Sequence, residues 1–181
     1  MRRRTSGYTL LEILLVLSIL GIATAVAMPM LSSNDPHALN VASQATADAI
    51  RFARDESMRT AQVHGVDITP AEKRIRVFRA DTSSEPWVPI YDVRDPVSKQ
   101  LYDLTLNEVP FAQIDTVSVS ASFRATCNQV NRIVFDRWAV PRCSDPAGTP
   151  LVKYLLSLQQ GSQVQHVTLL GFSGRLSVDS P

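Results

Sequence analysis

Residues 7–31 read GYTLLEILLVLSILGIATAVAMPML, and this stretch decides the fold. From Tyr8 to Leu31 it carries one charged side chain, Glu12, and positions 13–28 carry none. As a helix, 8–31 would span about 36 Å at 1.5 Å per residue, against a bilayer core of roughly 30 Å. Arg2, Arg3 and Arg4 stand immediately before it, and no Lys or Arg follows until Arg51. The positive-inside rule then keeps the short basic leader in the cytoplasm and sends the C-terminal bulk across the membrane.

A cleaved secretory signal peptide competes for the same features, because it too has a basic start and an apolar middle. Small-residue cleavage sites exist at Ala23-Thr24-Ala25 and Ala25-Val26-Ala27, but they lie inside the apolar run. That reading also leaves Glu12 unexplained. A carboxylate in an apolar span costs about 2.5–3.5 kcal/mol at the helix centre, so an intramembrane acid asks for a function and a partner.

Gly7-Tyr8-Thr9-Leu10-Leu11-Glu12, followed by the apolar run, resembles the class III signal of type IV prepilins and type II secretion pseudopilins. The resemblance implies cutting by a prepilin peptidase between Gly7 and Tyr8, on the cytoplasmic side. It implies methylation of the new Tyr8 amine, and retention of the apolar segment. Glu12 becomes the fifth mature residue, and Pro29 falls at mature position 22, where this family often carries a helix-kinking proline. Tyr8 departs from the usual phenylalanine.

Elementary electrostatics gives Glu12 a task of its own. Proteolysis after Gly7 creates an ammonium four residues before Glu12, on the same helical face. Glu12 can pair with that charge, or with the amine of a neighbouring subunit, in apolar surroundings. Such a pair is worth little at a surface, but one buried partner without the other is strongly destabilising. Glu12 would then act as a register check in assembly. The bland alternative is an acid snorkelling at the membrane edge.

The remainder reads as an ordinary folded chain. The whole sequence has 181 residues, 45% hydrophobic and 19% charged, with a formal net charge of +1. This excludes wholesale disorder and asks for no polyanionic partner. With 18 basic and 17 acidic side chains, the part beyond the arginine leader is mildly acidic. Two cysteines, Cys127 and Cys143, favour a disulfide if the domain is exported, and two buried thiols if it is not.

Pro29 should kink or interrupt the helix near 25–28. Ser32-Ser33-Asn34-Asp35-Pro36 is a turn or helix-start signal. From about 39 to 62 the pattern is amphipathic. Val41, Ala45, Ala49, Phe52, Ala53 and Met58 form the apolar stripe, with Asp48, Arg51, Arg54, Asp55 and Arg59 outward. After Gly65 the period becomes that of strands, at 63–69, 74–79, 116–122, 132–136, 151–158, 164–170 and 175–178. The stretch 81–110 is expected to be a long irregular excursion with short strands. The expected organisation is a leader at 1–7, a transmembrane helix segment at 8–31, an amphipathic exported helix at 32–62 and a periplasmic β domain at 63–181.

A long N-terminal helix packed on an antiparallel β domain is an α+β arrangement that resembles the pilin fold. Ala53-Arg54-Asp55-Glu56-Ser57 and Gly171-Phe172-Ser173-Gly174-Arg175-Leu176 are similar to the subgroup of H-type minor pseudopilins and related type IV minor pilins.

Other chemistry finds little support. His37, His64 and His166 have no zinc-ligand spacing with the cysteines. Asp92, Asp95 and Asp103 do not fit a calcium loop. No nucleophile elbow, phosphate loop or dinucleotide fingerprint occurs, so no catalytic residue, metal or cofactor is expected. Arg74, Arg76 and Arg79 could form a basic strand face, and related minor pilins bind DNA through a basic C-terminal region. Here Ser177 stands where a second arginine would help and Asp179 follows, so nucleic acid is not expected.

The resemblance therefore implies a minor pseudopilin of a type II secretion system. It would be anchored once in the bacterial inner membrane, with its C-terminal domain in the periplasm, and then built into the pseudopilus. Its partners would be the prepilin peptidase, other major and minor pseudopilins, and the inner-membrane assembly platform. The rivals are a minor pilin of a type IV pilus, acting in assembly or DNA uptake, and a membrane-anchored periplasmic enzyme.

Overall fold

The computed structural model describes residues 9–31, 36–84, 87–108, 111, 114–144 and 148–180, with side chains at all of these except 23–31 and 36. The chain divides into two units, 1–34 and 35–181.

Among its described residues the first unit holds one helix, α1, Leu10–Leu31. Thr9 starts it: its carbonyl accepts from the amides of Glu12 (3.1 Å) and Ile13 (3.2 Å), and its hydroxyl accepts from Glu12 N at 3.3 Å. This is N-cap chemistry, satisfying amides that have no partner inside the helix. Leucine, isoleucine and valine lie exposed on every side from Leu10 to Ile22. Water is a poor solvent for such a surface. Among the described residues no helix is long and apolar enough to cross a membrane. The side chains of α1 are described over 10–22 alone, about 20 Å of helix, and the span expected at 8–31 extends beyond them. α1 continues past Pro29 to Leu31, so this proline does not interrupt it at 25–28.

The second unit opens with α2, Pro36–Thr60, whose first residue is a proline, suited to a position where no amide bond is lost. The helix stops where Ala61 takes the left-handed conformation, φ 54°. Its buried seam is Leu39, Ala42, Ser43, Thr46, Ala47, Ala49, Ile50, Ala53 and Ser57. This corrects the expected stripe: Val41, Ala45 and Phe52 are only half-buried and Met58 is exposed. The seam includes hydroxyls because the helix satisfies them. Ser43 Oγ donates to Leu39 O (2.8 Å), Thr46 Oγ1 to Ala42 O (2.7 Å) and Ser57 Oγ to Arg54 O (2.7 Å). Small, satisfied side chains let the helix axis approach the sheets closely.

Two antiparallel sheets follow. The strands are β1 His64–Thr69, β2 Arg74–Asp81, β3 Val88–Ile90, β4 Asp103–Thr105, β5 Thr116–Phe123, β6 Arg132–Phe135, β7 Pro141–Arg142, β8 Leu151–Gln160, β9 Gln163–Leu170 and β10 Leu176–Asp179. The first sheet runs β3-β2-β1-β6-β7, with β4 also on β2; the second runs β10-β9-β8-β5. All seven expected strands are present to within about two residues at either end. The excursion at 81–110 contains β3 and β4, and β7 is an addition.

Register follows side-chain alternation. In the first sheet Val66 pairs with Val77 and Ile133, and Ile68 with Ile75. In the second, Leu156 pairs with Val167, and Tyr154 with Leu169. These buried side chains form one core with the α2 seam. α2 touches strands of both sheets. Fully burying each such aliphatic side chain contributes about 1.5–3 kcal/mol.

The opposite face of the first sheet is also covered. Asp67, 9% exposed, accepts from Arg76 Nη2 at 3.4 Å, from Arg132 Nη2 at 3.2 Å and from the Tyr91 hydroxyl. Phe78 stacks on Trp87 (5.8 Å between centroids) and meets Tyr91 edge-on (6.0 Å). Burial, and then its bond to Asp67, pushes the Tyr91 phenol up. The excursion that carries Trp87 and Tyr91 is thereby pinned to the sheet. It is also pinned to the helix, where Tyr102 stacks on Phe52 at 5.0 Å. Burial pushes the Tyr102 phenol up to about 12.

Candidate functional site

Of the residues singled out at the N-terminus, Gly7 and Tyr8 lie outside the described residues. Glu12 sits in the first turn of α1, exposed, with its amide capped by Thr9. A carboxylate in a first turn is favoured by the positive end of the helix dipole. The cap on the backbone leaves the carboxylate itself available for another cation.

Cys127 and Cys143 form a disulfide, with Cα atoms 5.9 Å apart and a sequence separation of 16. It ties the loop between β5 and β6 to the end of β7. A closed loop of this length contributes about 3 kcal/mol in the chain-entropy picture.

The other candidates are held apart. Asp92 pairs with Arg79 (Nη2–Oδ2 2.9 Å), and Asp103 pairs with Arg74 through Nε at 2.8 Å. Asp95 accepts the amides of Val97 and Ser98, both at 2.7 Å. Each carboxylate is engaged by a different group, and among the described residues no three His, Cys, Asp or Glu gather into a metal site. The strand arginines are engaged as well: Arg74 and Arg79 in these pairs, and Arg76 on Asp67, which it shares with Arg132. His166 Nδ1 shares a hydrogen bond with Ser157 Oγ at 2.8 Å. His64 is buried, and desolvation lowers its pKa against the carbonyl of Gln62 at 3.2 Å.

One contact joins two motifs that lie far apart in the chain. Arg54, expected to face outward, is half-buried and donates from Nη1 to the carbonyl of Gly174 at 2.8 Å. Gly174 has φ +63° and closes the turn between β9 and β10. Sequence reading gave no role to Trp138 or to the Phe172 side chain, both of which the structure leaves exposed beside this contact.

Residues 2–28 match the family model of the prokaryotic N-terminal methylation motif. No curated protein matches the chain in sequence. In fold it is similar to the minor pseudopilin EpsH from the Type 2 Secretion System of Vibrio cholerae, at 14% identity and a TM-score of 0.52, covering 79% of this chain and 97% of that one. A type IV minor pilin of Pseudomonas aeruginosa, FimU, aligns at 12% identity and a TM-score of 0.49, covering 79% of this chain and 92% of that one. The chain thus carries the prokaryotic N-terminal methylation motif at its N-terminus and, behind it, a helix packed on antiparallel sheets in a fold similar to that of a minor pseudopilin.

Proposed function

We propose that this chain is a minor pseudopilin, a structural subunit of a type II secretion pseudopilus that supports protein export across the outer membrane. The observation that carries the reading is the methylation motif over 2–28, placed ahead of an α+β unit of pilin-like fold. The similarity in fold to EpsH, a minor pseudopilin from a Type 2 Secretion System, supports that placement.

The apolar α1 anchors the chain in the inner membrane, with the leader cytoplasmic and the sheets periplasmic. The prepilin peptidase cuts between Gly7 and Tyr8, and the Tyr8 amine is methylated. Glu12, one turn on, neutralises that amine or a neighbour's as α1 leaves the lipid for the filament. Pro29 removes one backbone hydrogen bond and bends the helix. Packing between α1 helices of adjacent subunits then holds the filament together. The periplasmic unit chooses the partners, and the disulfide stabilises it in an oxidising compartment. The role is structural rather than enzymatic.

Deleting the gene and measuring both secretion and piliation tests the placement. Lost export with normal pili supports it, and lost pili with normal export replaces it with a type IV minor pilin.

A further inference from the structure

Two exposed aromatic side chains flank one groove of about 510 Å³ in the periplasmic unit. Phe172 is 98% exposed and Trp138 65% exposed. Met58, Val140, Pro141 and Val152 line the space with them. A solvent-facing cluster of this kind marks an interaction surface more often than an isolated exposed leucine does.

Both aromatics stand on pinned turns. The Phe172 turn is closed by Gly174 N to Leu170 O (2.8 Å), Gly171 N to Val152 O (2.9 Å) and Arg54 Nη1 to Gly174 O (2.8 Å). The Trp138 turn is closed by Asp136, whose Oδ1 accepts the amides of Trp138 and Val140, both at 3.0 Å, while its Oδ2 holds Arg142 Nε at 2.8 Å. Aromatic anchors on fixed backbone lose little entropy on binding.

The charged side chains that line the groove have one sign. Arg124 lines it, and the Arg137 guanidinium lies 4.1 Å from the centroid of the Trp138 ring. Neither arginine has a carboxylate partner among the described residues, and the nearby Asp136 is committed to Arg142.

We propose that this groove docks another, different subunit of the same filament, through a segment that presents an apolar side chain beside a carboxylate. In naming a filament subunit, the inference rests on the proposed function. A symmetric pairing of two copies would set Arg124 and Arg137 against themselves, which is repulsive. Nucleic acid would need more positive charge than two guanidinium groups without a carboxylate partner among the described residues, and the chain beyond the arginine leader is mildly acidic.

The test uses the full chain in its own cells, with the photo-crosslinker p-benzoylphenylalanine in place of Phe172. Val97, 89% exposed and outside the groove, is the control position. The expected result is an adduct to a different pilin-like subunit, mapped by mass spectrometry to a peptide containing Asp or Glu. Trp138→Ala lowers its yield about 30-fold, the size of an aromatic hot spot. Arg124→Glu also lowers it, Arg124→Lys retains it, and the unfolding midpoints are unchanged. An adduct no stronger than at Val97, a self-adduct or a nucleic-acid adduct overturns the proposal. The N-terminus is read in the same cells: a processed chain without the adduct sinks the groove alone, and an unprocessed chain sinks the filament reading with it.

Discussion

Arg54 Nη1 lies 2.8 Å from the carbonyl oxygen of Gly174, and this bond joins α2 to the turn between β9 and β10. The sequence distance is 120 residues. A half-buried guanidinium donating to a turn carbonyl fixes where that turn, and Phe172 on it, can sit.

Arg54→Ala is therefore expected to lower unfolding stability by about 1–2 kcal/mol, as lost hydrogen bonds from charged donors do. Gly171→Ala should cost more, about 3 kcal/mol, because a Cβ there would lie 1.8 Å from the backbone oxygen of Leu151, which cannot swing aside. Urea denaturation followed by tryptophan fluorescence measures both. Equal stability of Arg54→Ala and wild type would show that the contact does not hold the turn.

His64 gives the unit a pH dependence of predictable sign. Burial lowers its pKa most, Arg79 and Arg59 add to that, and the Gln62 carbonyl and Glu56 oppose it. The folded protein keeps the ring neutral at a pH where the unfolded chain takes up a proton. Stability is thus full above the ordinary histidine pKa of about 6.5 and falls as pH drops from there through the lower folded value. Glu56 and Asp92, held low by Arg59 and Arg79, add their own loss further down, in the carboxylate range. Unfolding midpoints measured from pH 8 to pH 5 should decline in wild type and stay flat in His64→Gln. A flat wild-type profile would contradict the assignment.

The strands were legible because their alternation of apolar and polar residues matches a half-buried sheet, as in 151–158 and 164–170. β7 was not, since two residues starting with Pro141 carry no periodicity. The α2 seam was misread where hydroxyls are buried: Thr46 and Ser57 look polar in sequence, yet the helix's own carbonyls satisfy them. The N-terminal motif was legible because its glycine, glutamate, apolar run and proline keep fixed spacing. The groove was not, because Met58, Trp138, Val152 and Phe172 are scattered and meet only after both sheets form.

Glu12→Val should leave membrane insertion intact or improve it, since an ionisable group leaves an apolar helix. Processing at Gly7 should persist. Incorporation should fail, because the Tyr8 amine, its own or a neighbour's, enters the filament core without its counter-charge. Crosslinking to other subunits, compared at equal membrane abundance, reads this directly. Unchanged crosslinking with unchanged export would show that Glu12 is no checkpoint.

The central claim is that residues 1–7 are a leader and that 8–31 stay on the mature chain as its anchor. Mass spectrometry of the mature protein's N-terminal peptide tests it most directly. The account predicts a chain beginning at Tyr8 with a methylated amine, and an uncut chain when Gly7 is replaced by a bulky residue. A mature chain beginning near Ala27 would mean an ordinary secretory signal and would contradict the account.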